Sequence, residues 1–429
     1  MEGLTTQVIA LSYSPGDLSQ LLSSLKGSEV LLNNSRGHIP EALGLLDYSL
    51  HSLGVLFYLD ALSKGHTYTD AEDAVFVDSV TRFLQVAIAA QVRLAPEAFC
   101  GLCRRFKERV MGMGCSSRGV LPLLNAVRLL QPSTDFLTPV HSDFLQLCLL
   151  AKTYNAAASL LEEDIFDVDP SQTCCTPTDL FLYAYYGGML CLGRGQLARS
   201  TDLFLHALTA PATTGNAIVV ACYKKYVLVS LLHLGHLPPL PKFTSTKVKQ
   251  VSEQDCRAYT ELASSYGSQN VTLVQRTAET HASTYQQEGN LGLLKQVLAG
   301  LPKRYVQRLT LTYVTLSLAN IATKVGLSTA AQAESLVLKM VEAGEIHATI
   351  NQRDGMVRFL DDPEQFNNPA VVDRINGQLR KCMGLAERLQ KFNDMLSMDH
   401  HFLSKTTVKE RRLDLGEFDA GPGAGLYQP

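Results

Sequence analysis

The sequence predicts a mostly α protein: a helical-repeat solenoid capped by a winged-helix module and followed by one C-terminal helix. Three observations carry this. From Glu41 to about Leu301, helix-length amphipathic segments alternate with short breaks and no convincing strand pair interrupts them. From Arg308 to Leu360, two helical periods are followed by two stretches of alternating polarity. Beyond a turn-rich linker, apolar residues recur at spacings of 3 and 4 from Val372 to Leu389. The helical array comes first in the chain. Its clearest members are Glu41 to Leu62, Ala71 to Gln91, Pro96 to Met111, Pro139 to Ala151, Asp179 to Leu192 and Ala217 to Leu234. Turn-rich breaks lie at Gln131 to Asp135, Asp167 to Thr178, Thr209 to Asn216 and Leu237 to Thr246. Gly188, Phe204 and Ala207 match the small, aromatic and small positions of a tetratricopeptide-type helix pair, with Pro211 one residue early for its terminal proline. Such a pair cannot bury its apolar face alone, so neighbours must stack and the end of the stack needs a cap.

The module at Arg308 to Leu360 supplies that cap. Tyr313 to Leu316 can form a short strand, and Ser317 can cap a helix whose Leu318, Ile321, Ala322 and Val325 share one face before Gly326 ends it. Thr329 and Gln332 have the spacing of a capping box, and Ala333, Leu336, Val337, Met340 and Val341 keep the helical period until Gly344. Ile346 to Ile350 and Met356 to Leu360 then alternate on a period of two around Asp354-Gly355. If those two residues are the whole loop, Ile350 lies opposite Phe359. Val372, Ile375, Leu379, Cys382, Ala386 and Leu389 form a heptad seam, about two and a half heptads long. That seam must pack on this chain or on partner helices, because so short a helix is marginal in water by itself. Gly416 to Pro429, with four glycines and two prolines, reads as disordered, and the aperiodic stretch begins at 404. The division expected is therefore 1–178 for the N-terminal repeats, 179–305 for a second helical part, 306–362 for the winged helix, 370–398 for the last helix and 404–429 for the tail.

A winged helix raises the question of nucleic acid. From Arg308 to Leu360 five basic residues face four acidic ones, so the module carries only +1. Glu334 and Glu342 on the second helix would repel the phosphates whose counterion release drives such binding. A nucleic-acid module with Arg353 and Arg358 as phosphate contacts is thus the disfavoured alternative, and packing against other proteins is favoured, since a hairpin edge offers unpaired backbone groups to another strand. A net charge of −3 points to neither nucleic acid nor an anionic membrane. The most apolar run, Tyr226 to Leu237, is too short to span a bilayer, and the Met-Glu-Gly start shows no signal-peptide pattern. Ten cysteines without regular spacing suit a reducing compartment.

Chemistry is sparse. Cys100 and Cys103 have a zinc-like spacing but fall inside a helical pattern with no second pair, so they read as core thiols. The histidines form neither an HxH pair nor an HExxH set. Gly193-Arg-Gly195 imitates a dinucleotide fingerprint but follows a helix, where the fingerprint needs a strand. No phosphate loop or nucleophile elbow occurs, so no catalytic residue, metal ligand, cofactor or small-molecule substrate is expected. Lys224-Lys225, Lys242 and Lys303-Arg304 read as solvated faces.

A helical array ending in a winged helix resembles the PCI family, named for the proteasome lid, the COP-nine signalosome and eukaryotic initiation factor three. Six strings, among them Tyr185-Tyr-Gly-Gly-Met189, Ala221 to Gly235 and Gly344 to Gly355, are similar to its signalosome branch. The resemblance covers most of Asp47 to Val372. It implies a non-catalytic scaffold, found in nucleus and cytoplasm, within the complex that removes the ubiquitin-like modifier Nedd-eight from cullins and so regulates cullin-RING ubiquitin ligases. A scaffold of the proteasome lid or the initiation factor is the alternative within the family. By this analogy sister subunits bind the winged helix at Ile346, Ala348, Ile350, Val357 and Phe359, and the C-terminal helix at its six seam residues. Cullin-RING ligases are a further partner to consider on the same ground.

Overall fold

The computed structural model describes residues 2–12, 18–65, 70–211, 216–268, 270–361 and 369–404. Two compact units divide the chain, Met1–Met340 and Val341–Pro429. In the first, the principal helices are α1 (Ser52–Ser63), α2 (Pro96–Gly112), α3 (Ser116–Leu130), α4 (Pro139–Leu150), α5 (Pro177–Gly193), α6 (Leu197–Thr209), α7 (Ala217–His233), α8 (Arg257–Gly267) and α9 (Leu291–Thr312). Each packs on neighbours close in sequence, α3 on α4, α4 on α5, α5 on α6 and α6 on α7. This is the stacking that a solenoid requires.

Proline and threonine set where the helices begin. Pro96, Pro139 and Pro177 each sit in the first turn, where the missing N–H costs nothing and the fixed φ suits the helix. Thr138 and Thr176 precede two of them as caps. The Thr176 N–H donates to Asp179 Oδ2 at 2.9 Å, and the Asp179 N–H returns a longer bond to Thr176 Oγ1 at 3.4 Å. Position 179, where the periodic pattern starts, is thus the third residue of α5 and not its first.

Two expected helices are each broken in two. Glu41 to Leu62 becomes Ile39–Leu45 and α1, because Asp47 Oδ1 accepts from both the N–H and the hydroxyl of Ser49 at 2.9 and 2.7 Å. That aspartate turn competes with helical bonding. Ala71 to Gln91 becomes Asp70–Val86 and Ala89–Val92. There the Ile88 N–H donates to Ser52 Oγ, and the Gln91 amide accepts from Leu53 N–H and donates to Leu50 O, all at 3.0 Å. Contacts distant in sequence make that break, which local periodicity does not record.

The tetratricopeptide-like triad joins α5 and α6. A Cβ on Gly188 would lie 2.6 Å from Phe204 Cε1, closer than any side chain tolerates, so only glycine lets the ring seat. Ser200 Oγ donates to Gly188 O at 2.8 Å, and Ala207 is fully buried. Gly195, with φ +76°, closes the turn between the helices, so the Gly193-Arg-Gly195 sequence serves a helix-to-helix connection. Charged pairs tie α2 to its neighbours. Asp60 accepts from Arg105, and Lys107 Nζ lies 2.6 Å from Asp143 of α4.

The winged helix begins in this unit with β1 (Thr315–Ser317) and α10 (Leu318–Val325), followed by α11 (Ala330–Glu342), whose last residues belong to the second unit. Ser317 Oγ accepts from Asn320 N–H at 3.3 Å and Gly326 takes φ +80°, so α10 starts and stops where its cap and glycine indicate. Its face of Leu318, Ile321, Ala322 and Val325 is buried. At α11 the Gln332 N–H donates to Thr329 Oγ1 at 3.3 Å, but Gln332 Oε1 reaches back one residue further than a capping box would, to the N–H and hydroxyl of Ser328.

The second unit holds the hairpin β2 (Ala348–Asn351) and β3 (Met356–Phe359), and α12 (Pro369–Met398). The strands pair antiparallel as Ala348↔Phe359, Thr349↔Arg358, Ile350↔Val357 and Asn351↔Met356. Ile350 therefore faces Val357 and not Phe359. The loop is Gln352 to Gly355, twice as long as expected, because Asn351 Nδ2 donates to Asp354 Oδ2 at 2.6 Å while Asn351 Oδ1 accepts from Arg353 N–H at 3.2 Å. A shift of two residues preserves which side chains share a face.

Candidate assembly interface

Alternation along the hairpin puts Ala348, Ile350, Val357 and Phe359 on one face. Val357 and Phe359 are buried, as is Ile346 just before β2, while Ala348 and Ile350 are half-buried. All five wing residues nominated from the sequence thus lie inward and hold the hairpin in shape. Thr349, Asn351, Met356 and Arg358 occupy the other face and are exposed.

The edge follows from the register. Leu360 N–H donates to His347 O at 2.8 Å, which makes that a hydrogen-bonded pair and, by alternation, makes Thr349 with Arg358 another. Ala348 and Ile350 are then in non-bonded pairs, so their N–H and C=O groups point away from β3. β2 is the end strand of its sheet among the described residues. Those outward groups are free to continue the sheet into a strand from another chain.

On α12 the six seam residues are all exposed, with Val372 at 51% and Leu389 at 70%. The stripe is also wider than the sequence reading had it. Taking Val372 as position a, the g positions include Val371, Leu385 and Phe392, and Leu396 extends the d series past Leu389. Residues at a, d and g together cover the broad face of a helix that has more than one neighbour, whereas a two-stranded coil needs only a and d. The signal was present in the sequence at Leu385 and Phe392, which a strict heptad count passes over. A helix of 30 residues spans about 45 Å, and this one carries an apolar surface that water does not stabilise.

Cys100 and Cys103 lie on α2 as free thiols, and burial pushes both up, as it pushes Cys148 and Cys222 up to about 12. A thiol so raised stays protonated and unreactive at neutral pH. Among the described residues no three His, Cys, Asp or Glu side chains are placed to hold a metal ion, and no helix is long and apolar enough to cross a membrane. Two basic doublets depart from the solvated face expected of them, since Arg304 beside Lys303 is half-buried and donates to Leu232 O at 2.6 Å. Lys224 bonds Glu288, but Lys225 is only 8% exposed.

Comparison with known proteins places these features. Residues 15–248 match the family model described as COP9 signalosome complex subunit 3, N-terminal helical repeats, and residues 277–361 match the PCI domain. The chain is 39% identical over 424 residues to the COP9 signalosome complex subunit 3 of Arabidopsis thaliana, covering 98% of this chain and 97% of the relative. To the same subunit of Dictyostelium discoideum it is 34% identical over 412 residues, covering 96% and 97%.

Proposed function

The chain belongs to the family of COP9 signalosome complex subunit 3, and from that membership we propose that it is a non-catalytic scaffold subunit of a signalosome. In that role it supports cullin deneddylation, and through it the regulation of cullin-RING ubiquitin ligases. The relatives favour this over a proteasome-lid or initiation-factor scaffold. The observation that carries it is the apolar stripe on α12, exposed along a helix too long and too apolar on one side to be left in water.

Sister subunits are the proposed cover for that stripe, meeting it at Val372, Ile375, Leu379, Cys382, Ala386 and Leu389 within a bundle. The wing is the second junction. There Ile346, Ala348, Ile350, Val357 and Phe359 act by fixing the outward edge of β2, which a strand from a neighbouring subunit extends. Cullin-RING ligases are a further proposed partner, and nucleus and cytoplasm the proposed locations. The same proposal divides the chain into N-terminal repeats at 1–178, a second helical part at 179–305, the winged helix at 306–362, the bundle helix at 370–398 and a tail at 404–429.

The test is incorporation into the complex. Leu379→Asp with Leu389→Asp puts two carboxylates on the stripe without touching a buried residue of the chain, so the variant is expected to fold and to fail to enter the assembled complex. Entry at wild-type affinity would remove the bundle from the reading.

A further inference from the structure

Between α7 and the helix Thr246–Asp255 the chain runs Leu237-Pro-Pro-Leu-Pro-Lys-Phe243. Pro238, Pro239 and Pro241 each hold φ at about −65°, and each disfavours the helical region for the residue before it, so Leu237, Pro238 and Leu240 are restrained too. Local sterics therefore favour polyproline II across residues 237–241, a form with no internal hydrogen bonds and about three residues per turn. The bonding agrees: among the described residues, the backbone of residues 237–240 makes no hydrogen bond.

Both ends of the segment are fixed. Arg304 of α9 donates to Leu232 O at 2.6 Å and also to His233 O, and Arg308 lies 3.5 Å from Gly235 O, so α9 holds the end of α7 in place. At the far end Thr244 is buried, and its N–H donates to Pro241 O at 3.0 Å, closing a turn with Lys242 and Phe243 at its tip. Both tip residues are exposed, Phe243 to 77%. Pro239 is exposed as well, while Pro238 and Pro241, three apart and so on one edge, are half-buried.

A rigid connector would need the prolines alone. It gives no reason to set a phenyl ring and an ammonium side by side in water at the end of the proline run. Domains that recognise polyproline II use all of these features: an aromatic-lined groove takes the proline rings, its ring donors bond the unpaired carbonyls, and the entropy of straightening the ligand has already been lost. The exposed cation selects among such domains, because it is matched by a groove with carboxylates on its rim. We propose that residues 237–243 are a docking segment for an SH3-type domain of another protein, whose groove takes the outward parts of Pro238, Pro239 and Pro241 and whose acidic rim takes Lys242.

The probes are a panel of recombinant SH3 domains with carboxylates beside the proline groove, each titrated with the purified full-length chain. The chain has no tryptophan, so the fluorescence of a groove tryptophan reports binding directly. At least one domain is expected to bind, to be displaced by a synthetic peptide of residues 237–243, and to lose about tenfold or more in affinity both for Pro238→Ala with Pro241→Ala and for Lys242→Glu. Neither variant removes a hydrogen-bond donor from the backbone, and both are expected to melt as the parent does. Absence of binding by every domain would overturn the proposal. Binding to the peptide but not to the full-length chain would do the same, since the edge would then be closed by the fold. So would parent-like affinity in either variant.

Discussion

His141, the third residue of α4, accepts the Thr138 N–H at its Nδ1 at 3.1 Å and faces Gln131 at 3.1 Å through the other ring nitrogen. It is almost fully buried, and burial lowers its pKa from 6.5 to about 4, against the opposing effect of the Thr138 carbonyl, 3.2 Å from Nδ1 and able to accept from a protonated ring. The folded chain thus binds this proton less readily than the unfolded chain does. Stability is full above pH 6.5 and falls as the pH drops toward 4, by about 3 kcal/mol for a shift of this size. Glutamine is a favoured third residue of a capping box, so His141→Gln keeps the cap and removes the titration. Melting midpoints from pH 7 to pH 4 are expected to fall less steeply in that variant, and identical slopes would contradict the assignment. The same scale shows where the sequence is silent. Adjacent lysines at 224 and 225 look alike in the text, but a helix turns about 100° per residue, which seats one on Glu288 and leaves the other only 8% exposed with no such ion pair. Periodicity did identify Cys100 and Cys103 as core thiols, because each falls on the apolar side of a helix whose pattern is unbroken.

Elements were legible in type and less so in extent. The capping serine and stop glycine of α10 are local signals, and they act as read. The hairpin was legible down to its faces, yet its loop is set by Asn351 bonding to Asp354 and Arg353, a choice that residue types alone leave open. The breaks inside Glu41 to Leu62 and Ala71 to Gln91 escaped for two reasons, a local aspartate turn in the first and long-range bonds from Ser52 and Gln91 in the second. The corrected register also decides which residue tests the wing. Proline at Thr349 would break the ladder to β3, whereas Ala348→Pro removes an N–H that faces outward. Ala348→Pro is expected to leave the chain folded and to weaken its pull-down of the neighbouring subunit by tenfold or more, on the order of 1 to 2 kcal/mol. Unchanged pull-down with the fold intact would take the β2 edge out of the interface.

At the scale of the molecule, the solenoid could be read because each helix pair leaves one face to be buried by the next, and Gly188 under Phe204 is that requirement in a single contact. The candidate interface was legible in its seam but not in its width, since Leu385, Phe392 and Leu396 matter only once they are seen exposed beside that seam. The wing residues named from the alternating pattern were legible as a face. Which way that face turns depends on what buries Val357 and Phe359, and no local pattern states it. The central claim is that an unpartnered helix and an open strand edge make this chain a connector between signalosome subunits. It is tested most directly by the masses of the proteins that copurify with the tagged full-length chain. The account expects signalosome subunits in equal stoichiometry, lost together when Leu379→Asp and Leu389→Asp are combined with Ala348→Pro. Proteasome-lid or initiation-factor subunits in their place, or a chain that purifies alone, would contradict it.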